Sequence, residues 1–414
     1  MSGTVGASAA QFLLSLVLLN RLPPEEFGRV AFLLLVAQFI WAVEGALFAA
    51  PLARIEAERR HGDSLSVASR NDLPQLTIGC QAAAVLATMV SIPISFGLDD
   101  PLLTALIYGL FVGVGGLRVF CRIAAYSAGR QDHVVTADAI YVVGTLGGVG
   151  YIAFAAQADA WIAYTVLLAS ALAGLLPLMA YLVPRAGIDD INRALRSYTL
   201  IWRRFARWSL IGLVATEATL NAHSYIVTLF LGPQAFVSIA ASSMLIRPGT
   251  VALNALSELE RPRMAHHLVA TEMGKLRRDM LLVRLVSAAV WLATVLATIA
   301  ALVYVPTTDL GRSYDIGAVT TGAALWATIL LVRSLYLPEA IVLQAHGAFG
   351  SLAFPKIWSA PVSIISVILL LQIAEPIWSL AGIAVAEAMS ALLTIRGARP
   401  LLHLRVTPPA PARS

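Results

Sequence analysis

Residues 285–304 read LVSAAVWLATVLATIAALVY, an uninterrupted run without a single charged side chain. At 1.5 Å per residue such a run extends about 30 Å as a helix, the thickness of the hydrocarbon core of a bilayer. Apolar and polar residues do not alternate along it, as they would in a barrel strand. Helices and closed barrels are the only structures that satisfy their backbone in lipid, so the run reads as a spanning helix. Working outward, the same pattern predicts twelve spans: 5–20, 28–50, 74–96, 101–121, 137–157, 160–183, 208–231, 234–256, 281–304, 316–344, 357–374 and 376–396. The tenth is long and carries Pro338, which predicts a kink or break there. Of the 414 residues, 58% are hydrophobic and 13% charged, against about 25% charged in a soluble domain. The fold class is therefore all-α integral membrane, with about twelve transmembrane helices.

The basic residues orient the chain. One set of loops holds 24 of the 29 Lys and Arg residues, in Arg54–Arg70, Arg118–Arg130, Arg185–Arg207, Arg261–Arg284, at Lys356 and in the tail Arg396–Arg413. The opposite loops hold only Arg21, Arg29 and Arg312, and Arg247 and Arg333 fall inside spans. This asymmetry places both termini in the cytoplasm. It also accounts for the net charge of +5 without nucleic acid as a partner. Cys80 and Cys121 lack any metal or disulfide spacing. Met1 to Ala10 carries no Lys or Arg, so the N-terminus reads as the start of a retained helix rather than a signal peptide.

Two external turns share the pattern L-x-P-x-x-F: Leu22 to Phe27 between spans one and two, and Leu231 to Phe236 between spans seven and eight. An even number of spans per half gives parallel repeats. The expected organisation is a six-helix bundle over 1–183, a basic cytoplasmic linker over 184–207, a second six-helix bundle over 208–396 and a cytoplasmic tail over 397–414. Gly274-Lys275 lacks the glycine and hydroxyl of a phosphate-binding loop, and there is no HExxH, GxSxG or zinc spacing. No ATPase, cofactor or metal centre is expected. The external loops are too short to hold the acceptor of a membrane polymerase or ligase, so transport rather than an enzymatic activity is the expectation.

Further stretches follow one another in a recognisable order. Asn20-Arg21-Leu22-Pro23-Pro24-Glu25-Glu26-Phe27-Gly28 opens the series, followed by Ala125-Tyr126-Ser127-Ala128-Gly129-Arg130-Gln131 and Phe230-Leu231-Gly232-Pro233. Gly311-Arg312-Ser313-Tyr314-Asp315-Ile316-Gly317-Ala318 and the segment Glu375 to Glu387 complete it. In these stretches, spread over nearly the whole chain, the sequence resembles the polysaccharide (O-antigen type) flippases of the multidrug/oligosaccharidyl-lipid/polysaccharide exporter superfamily. Pro23 stands where that family has Gly, and many members carry two further helices. The resemblance implies a multi-pass protein of the bacterial cytoplasmic membrane. It would flip polyprenyl-pyrophosphate-linked oligosaccharide for surface polysaccharide biosynthesis, among membrane lipids and polysaccharide assembly proteins. A cation-coupled multidrug antiporter of the same superfamily is the alternative.

Ionisable groups inside spans cost at least about 2.5–3.5 kcal/mol on insertion scales, so they face a cavity or a partner. Arg333 and Arg247 are the expected substrate contacts, because a guanidinium donates bidentately to phosphate and keeps its charge. The bland reading is a structural bridge to an acid such as Glu217 or Glu339. Glu217, Glu387, Glu44 and Glu339 are the candidate ion-coupling groups, with satisfied counter-ions as the bland reading. His223 reads as a helix contact. The glycines Gly109, Gly113, Gly115, Gly116, Gly144 and Gly148 predict close helix packing.

Overall fold

The computed structural model describes residues 2–53, 55, 72–155, 158–182, 198–304, 315–346 and 348–403, and every regular element among them is helical. The first half contains α1 (Ser2–Arg21), α2 (Pro24–Glu44), α3 (Asp72–Phe96), α4 (Leu102–Ser127), α5 (Gln131–Phe154) and α6 (Ala160–Leu175). The second contains α7 (Arg207–Leu220), α8 (Ala222–Leu231), α9 (Pro233–Val269), α10 (Met273–Tyr304), α11 (Ile316–Ala345), α12 (Phe349–Ile373) and α13 (Ser379–His403). Ten helices among the described residues are long and apolar enough to cross a membrane. With α1, and with α7 and α8 forming one interrupted crossing, they make the twelve crossings of a multi-pass integral membrane protein. Arg54, Arg59, Arg60, Arg70, Arg185, Arg193, Arg196, Arg312, Arg405 and Arg413 lie outside the described residues, as do the turn 311–314, most of the linker (184–197) and the end of the tail (404–414).

Several expectations need correction. The helices outrun the hydropathy windows at their cytoplasmic ends. α4 reaches Ser127, α9 reaches Val269, α10 starts at Met273, α12 at Phe349, and α13 reaches His403. Hydropathy measures transfer into lipid, whereas helical hydrogen bonding continues into water. As a result Arg122 and Lys356, just outside the windows 101–121 and 357–374, sit on helices. Arg118 and Arg284 already fall inside the windows 101–121 and 281–304, so Arg247 and Arg333 are not the only basic residues on spanning helices. Of the predicted kink or break at Pro338, the break is absent, because α11 runs unbroken through it. Pro338 frees the carbonyl of Ser334, and Ser287 Oγ on α10 shares its one proton between the Arg284 carbonyl at 3.0 Å and that carbonyl at 3.3 Å. The irregularities lie elsewhere, as π-turns at Gly45–Ala49 and Trp202–Ala206 and at Asn221 between α7 and α8. Residues 198–207 of the expected linker are helical, and Tyr198 donates to the Leu47 carbonyl at 2.9 Å.

The chain divides into two compact units. Unit one is Met1–Glu217 with Val227–Ala240, and unit two is Ala218–Ile226 with Ala241–Ser414. In unit one α3 packs on α4, α1 on α5, and α6 on both α4 and α5. Glycines make these approaches close: a Cβ on Gly113 would lie 2.8 Å from the Ala84 carbonyl, and one on Gly148 2.0 Å from Val166. The first external turn is tied down by its own sequence. Arg21 donates to the Ala155 carbonyl, and Glu26 Oε1 accepts from the Ala160 amide at 2.7 Å, capping α6. Arg29 Nε lies 3.0 Å from Asp100, which also accepts from Ser95 Oγ at 2.6 Å. Burial holds the Asp100 carboxyl above its ordinary range, while Ser95 and Arg29 pull it back. The conspicuous charges of this turn therefore brace unit one.

Gly28, at the end of the same motif, has a specific neighbour. A Cβ there would lie 2.6 Å from the Pro233 carbonyl and 2.7 Å from Val237, so the two L-x-P-x-x-F turns touch through this gap. Gly28→Ala should cost about 1–3 kcal/mol, the range for overpacking, and Val237→Ala should not restore it because the carbonyl clash remains. Thermal unfolding in detergent measures this, and an unchanged midpoint would show that the turns yield freely.

In unit two α10 packs on α11, and α13 on both α11 and α12. His223 is buried with its ring 5.6 Å from that of Trp326, a helix contact.

Candidate functional site

The most charged interior of unit two forms where α11, α12 and α13 meet. Arg333 and Tyr336 are three residues apart on α11 and share a face. α12 contributes Lys356 and α13 contributes Glu387, whose side chain is fully buried. Glu387 accepts from Tyr336 Oη at 2.6 Å and from Lys356 Nζ at 2.7 Å. The Lys356 ammonium also lies 5.9 Å from the centre of the Tyr336 ring. The Arg333 guanidinium acts electrostatically on all three groups. Thr219 fixes the backbone here, donating to the Lys356 carbonyl at 3.3 Å and accepting from Ser363 at 3.0 Å. Two half-buried basic side chains thus flank one fully buried carboxylate, an arrangement with an excess of positive charge.

Unit one holds a counterpart. Arg118 Nη2 lies 2.8 Å from Asp138 Oδ1, and Arg122 Nε lies 2.9 Å from the same oxygen. The Arg118 guanidinium sits 3.9 Å over the Tyr141 ring, and Gln11 donates to Tyr141 Oη at 3.0 Å. Again two cations share one buried carboxylate. A separate site in unit one holds Glu44, only 5% exposed at the end of α2. Its carboxyl group fills the notch left by Gly116, where a Cβ would lie 1.7 Å from Oε2. Neither oxygen has a hydrogen-bond partner among the described residues. A π-turn begins at the next residue, Gly45, a local irregularity that is frequent at functional sites.

The structure therefore brings together two of the residues singled out in the sequence, Arg333 and Glu387. Glu339 is buried and paired with Arg284, not with Arg247 or Arg333. Arg247 is half-buried on α9 with no ion-pair partner among the described residues, and Glu217 is half-buried on α7 in unit one. Trp41 Nε1 donates to the Val112 carbonyl at 2.7 Å. Sequence reasoning missed Lys356, Arg118, Arg122 and Asp138. A signal existed for Asp138, an acid inside the predicted span 137–157, and for Arg118 with Arg122, four apart on one helical face.

An all-helical, multi-pass fold with charge inside each of two units defines a class, that of the polytopic helical membrane proteins. Comparison with known proteins narrows it. No protein-family model matches the sequence, and no curated protein matches it. Solved structures do. A multidrug resistance MATE family transporter of the MOP superfamily, in its inward-facing conformation, aligns with a TM-score of 0.66 and 13% identity over 97% of this chain and 94% of its own. The outward-facing form of such a transporter gives 0.64 and 13% over 97% and 93%. The Vibrio cholerae MATE transporter VcmN, as a point mutant, gives 0.65 and 12% over 98% and 94%. The chain has the fold of the MATE transporters of the MOP superfamily.

Proposed function

We propose that the chain is a transporter of the bacterial cytoplasmic membrane that works by alternating access, and that its substrate carries an anionic group, as a polyprenyl-pyrophosphate-linked oligosaccharide does. The observation that carries this reading is the repeated two-to-one ratio of buried or half-buried bases to buried acids, Arg118 and Arg122 against Asp138, and Arg333 and Lys356 against Glu387. Arg247, without an ion-pair partner among the described residues, adds a further cation. Fixed cations in a medium of low dielectric attract a pyrophosphate far more strongly than they would in water. The order of sequence motifs points the same way. Arg333 and Arg247 are the proposed substrate contacts.

A second reading, cation-coupled multidrug antiport, is favoured by the likeness to solved multidrug transporters. A deletion strain separates the two. Loss of surface polysaccharide with accumulation of lipid-linked intermediate supports the first, whereas retention of a cationic dye with normal polysaccharide supports the second.

Among the candidate coupling groups, Glu387 and Glu339 already hold ion pairs, and Glu217 is half-buried. Glu44 is the one whose protonation would break no ion pair among the described residues. Glu44→Gln should leave the protein folded and flatten the pH dependence of transport in vesicles with an imposed gradient. An unchanged pH profile would remove Glu44 from the coupling path.

A further inference from the structure

α9 is 37 residues long, about 55 Å at 1.5 Å per residue, well beyond the roughly 30 Å of the hydrocarbon core. Its last turns therefore project into the cytoplasm, and the run Glu258 to Arg263 marks the exit. At this projecting end the chain reverses tightly into α10. Thr271 takes a left-handed conformation at φ 58°, unusual for a β-branched residue. The Glu272 amide donates to the His267 carbonyl at 3.0 Å. The reversal folds Glu272 back over the end of α9, and the ligand atoms of His266, His267 and Glu272 all come within 4.8 Å of one another.

The surroundings resemble the support of a metal site rather than a chance cluster. His267 Nδ1 faces Glu272 Oε2 at 2.9 Å, while Nε2 faces Asp279 Oδ2 at 3.3 Å. Asp279 is 3% exposed and rises from α10 beside the apolar cluster of Met264, Leu276 and Met280. A metal-binding histidine characteristically gives its other ring N–H to such a carboxylate, which fixes its tautomer and orientation. Lys275 occupies the other oxygen of Glu272 at 2.8 Å and leaves Oε2 for an ion. Arg263 lies 3.4 Å from Asp279 and balances its charge without touching the three ligands. His266 is exposed, so its ring can close on an ion without repacking.

We propose that His266, His267 and Glu272 bind a divalent transition-metal ion of the zinc class at the cytoplasmic turn between α9 and α10, with Asp279 positioning His267. Two imidazoles and one carboxylate suit zinc, nickel or copper, whereas magnesium and calcium require oxygen ligands. The fourth position is open to water. The ion would clamp the projecting end of α9 to α10, and the assignment does not depend on the transported substrate.

The test uses the purified full-length chain in detergent with any affinity tag removed. After dialysis against zinc, elemental analysis should find one ion per chain, and competition with a chromogenic chelator gives its affinity. His266→Ala and Glu272→Gln should each lower that affinity by about tenfold or more without changing the melting temperature of the metal-free protein. Zinc should raise the melting temperature of the original chain and not of His266→Ala. His133→Ala, an alteration in another histidine, should behave as the original. The proposal is overturned if the original chain retains no zinc, in which case His267 is only an ionic bridge between Glu272 and Asp279. It is equally overturned if both variants bind zinc as tightly as the original.

Discussion

Lys356→Met should sharply reduce the folded protein recovered from the membrane, and Lys356→Met with Glu387→Gln should restore much of it. Glu387 is fully buried, and its direct cation is Lys356. Removing one partner of a buried pair leaves an uncompensated charge and costs about 3–5 kcal/mol. Total stabilities are only about 5–15 kcal/mol. Replacing both partners removes the charge problem, and Gln keeps a carbonyl that accepts from Tyr336 Oη. Fluorescence-detected gel filtration in detergent, with thermal unfolding of what is recovered, measures both variants. Normal recovery of Lys356→Met alone would mean that Arg333 neutralises Glu387 unaided and that the Lys356 pair does not hold the three helices.

Arg333→Ala, in contrast, should insert and accumulate but transport at a rate lower by on the order of tenfold to a hundredfold, since a hydrogen bond to a charged group contributes about 1.5–3 kcal/mol. Arg333 is half-buried and stands beside the Glu387 pair rather than in it, so folding does not depend on it as it does on Lys356. Arg333→Lys should recover part of the rate, because the ammonium keeps the charge and loses the bidentate fork. Complementation of a deletion strain, normalised to membrane-inserted protein, reads the effect. Full complementation by Arg333→Ala would remove this residue from substrate binding. Failure to accumulate would make it a structural cation instead.

These two expectations differ because Arg333 and Lys356 occupy different places in one cluster, and only part of that cluster was visible in the sequence. Arg333 and Glu387 stood out as charges inside apolar windows. Lys356 did not, because it lies one residue before the predicted span 357–374 and the helix that carries it starts at Phe349. Arg122 was assigned to a loop for the same reason, whereas Arg118 and Arg284 lie inside the predicted spans 101–121 and 281–304 and were counted with the adjoining loops because they stand near the span ends. At Pro338 the helix continues where a break was one of the two expectations, and the freed carbonyl of Ser334 meets Ser287 on α10 at 3.3 Å.

The sequence by itself determined the all-helical membrane class, the number of crossings, and part of the charge inside them, Arg247, Arg333, Glu44, Glu217, Glu339 and Glu387 but not Arg118, Arg122 or Asp138. Each follows from transfer free energy summed along a contiguous stretch, which is a local property. Tertiary structure alone decided who pairs with whom. Lys356 meets Glu387 across 31 residues, and Arg118 meets Asp138 across 20. Glu44 lies in the notch of Gly116, and His267 lies between Glu272 and Asp279. These pairings depend on which helix faces pack together, and packing is a relation between distant segments that no window along the chain contains.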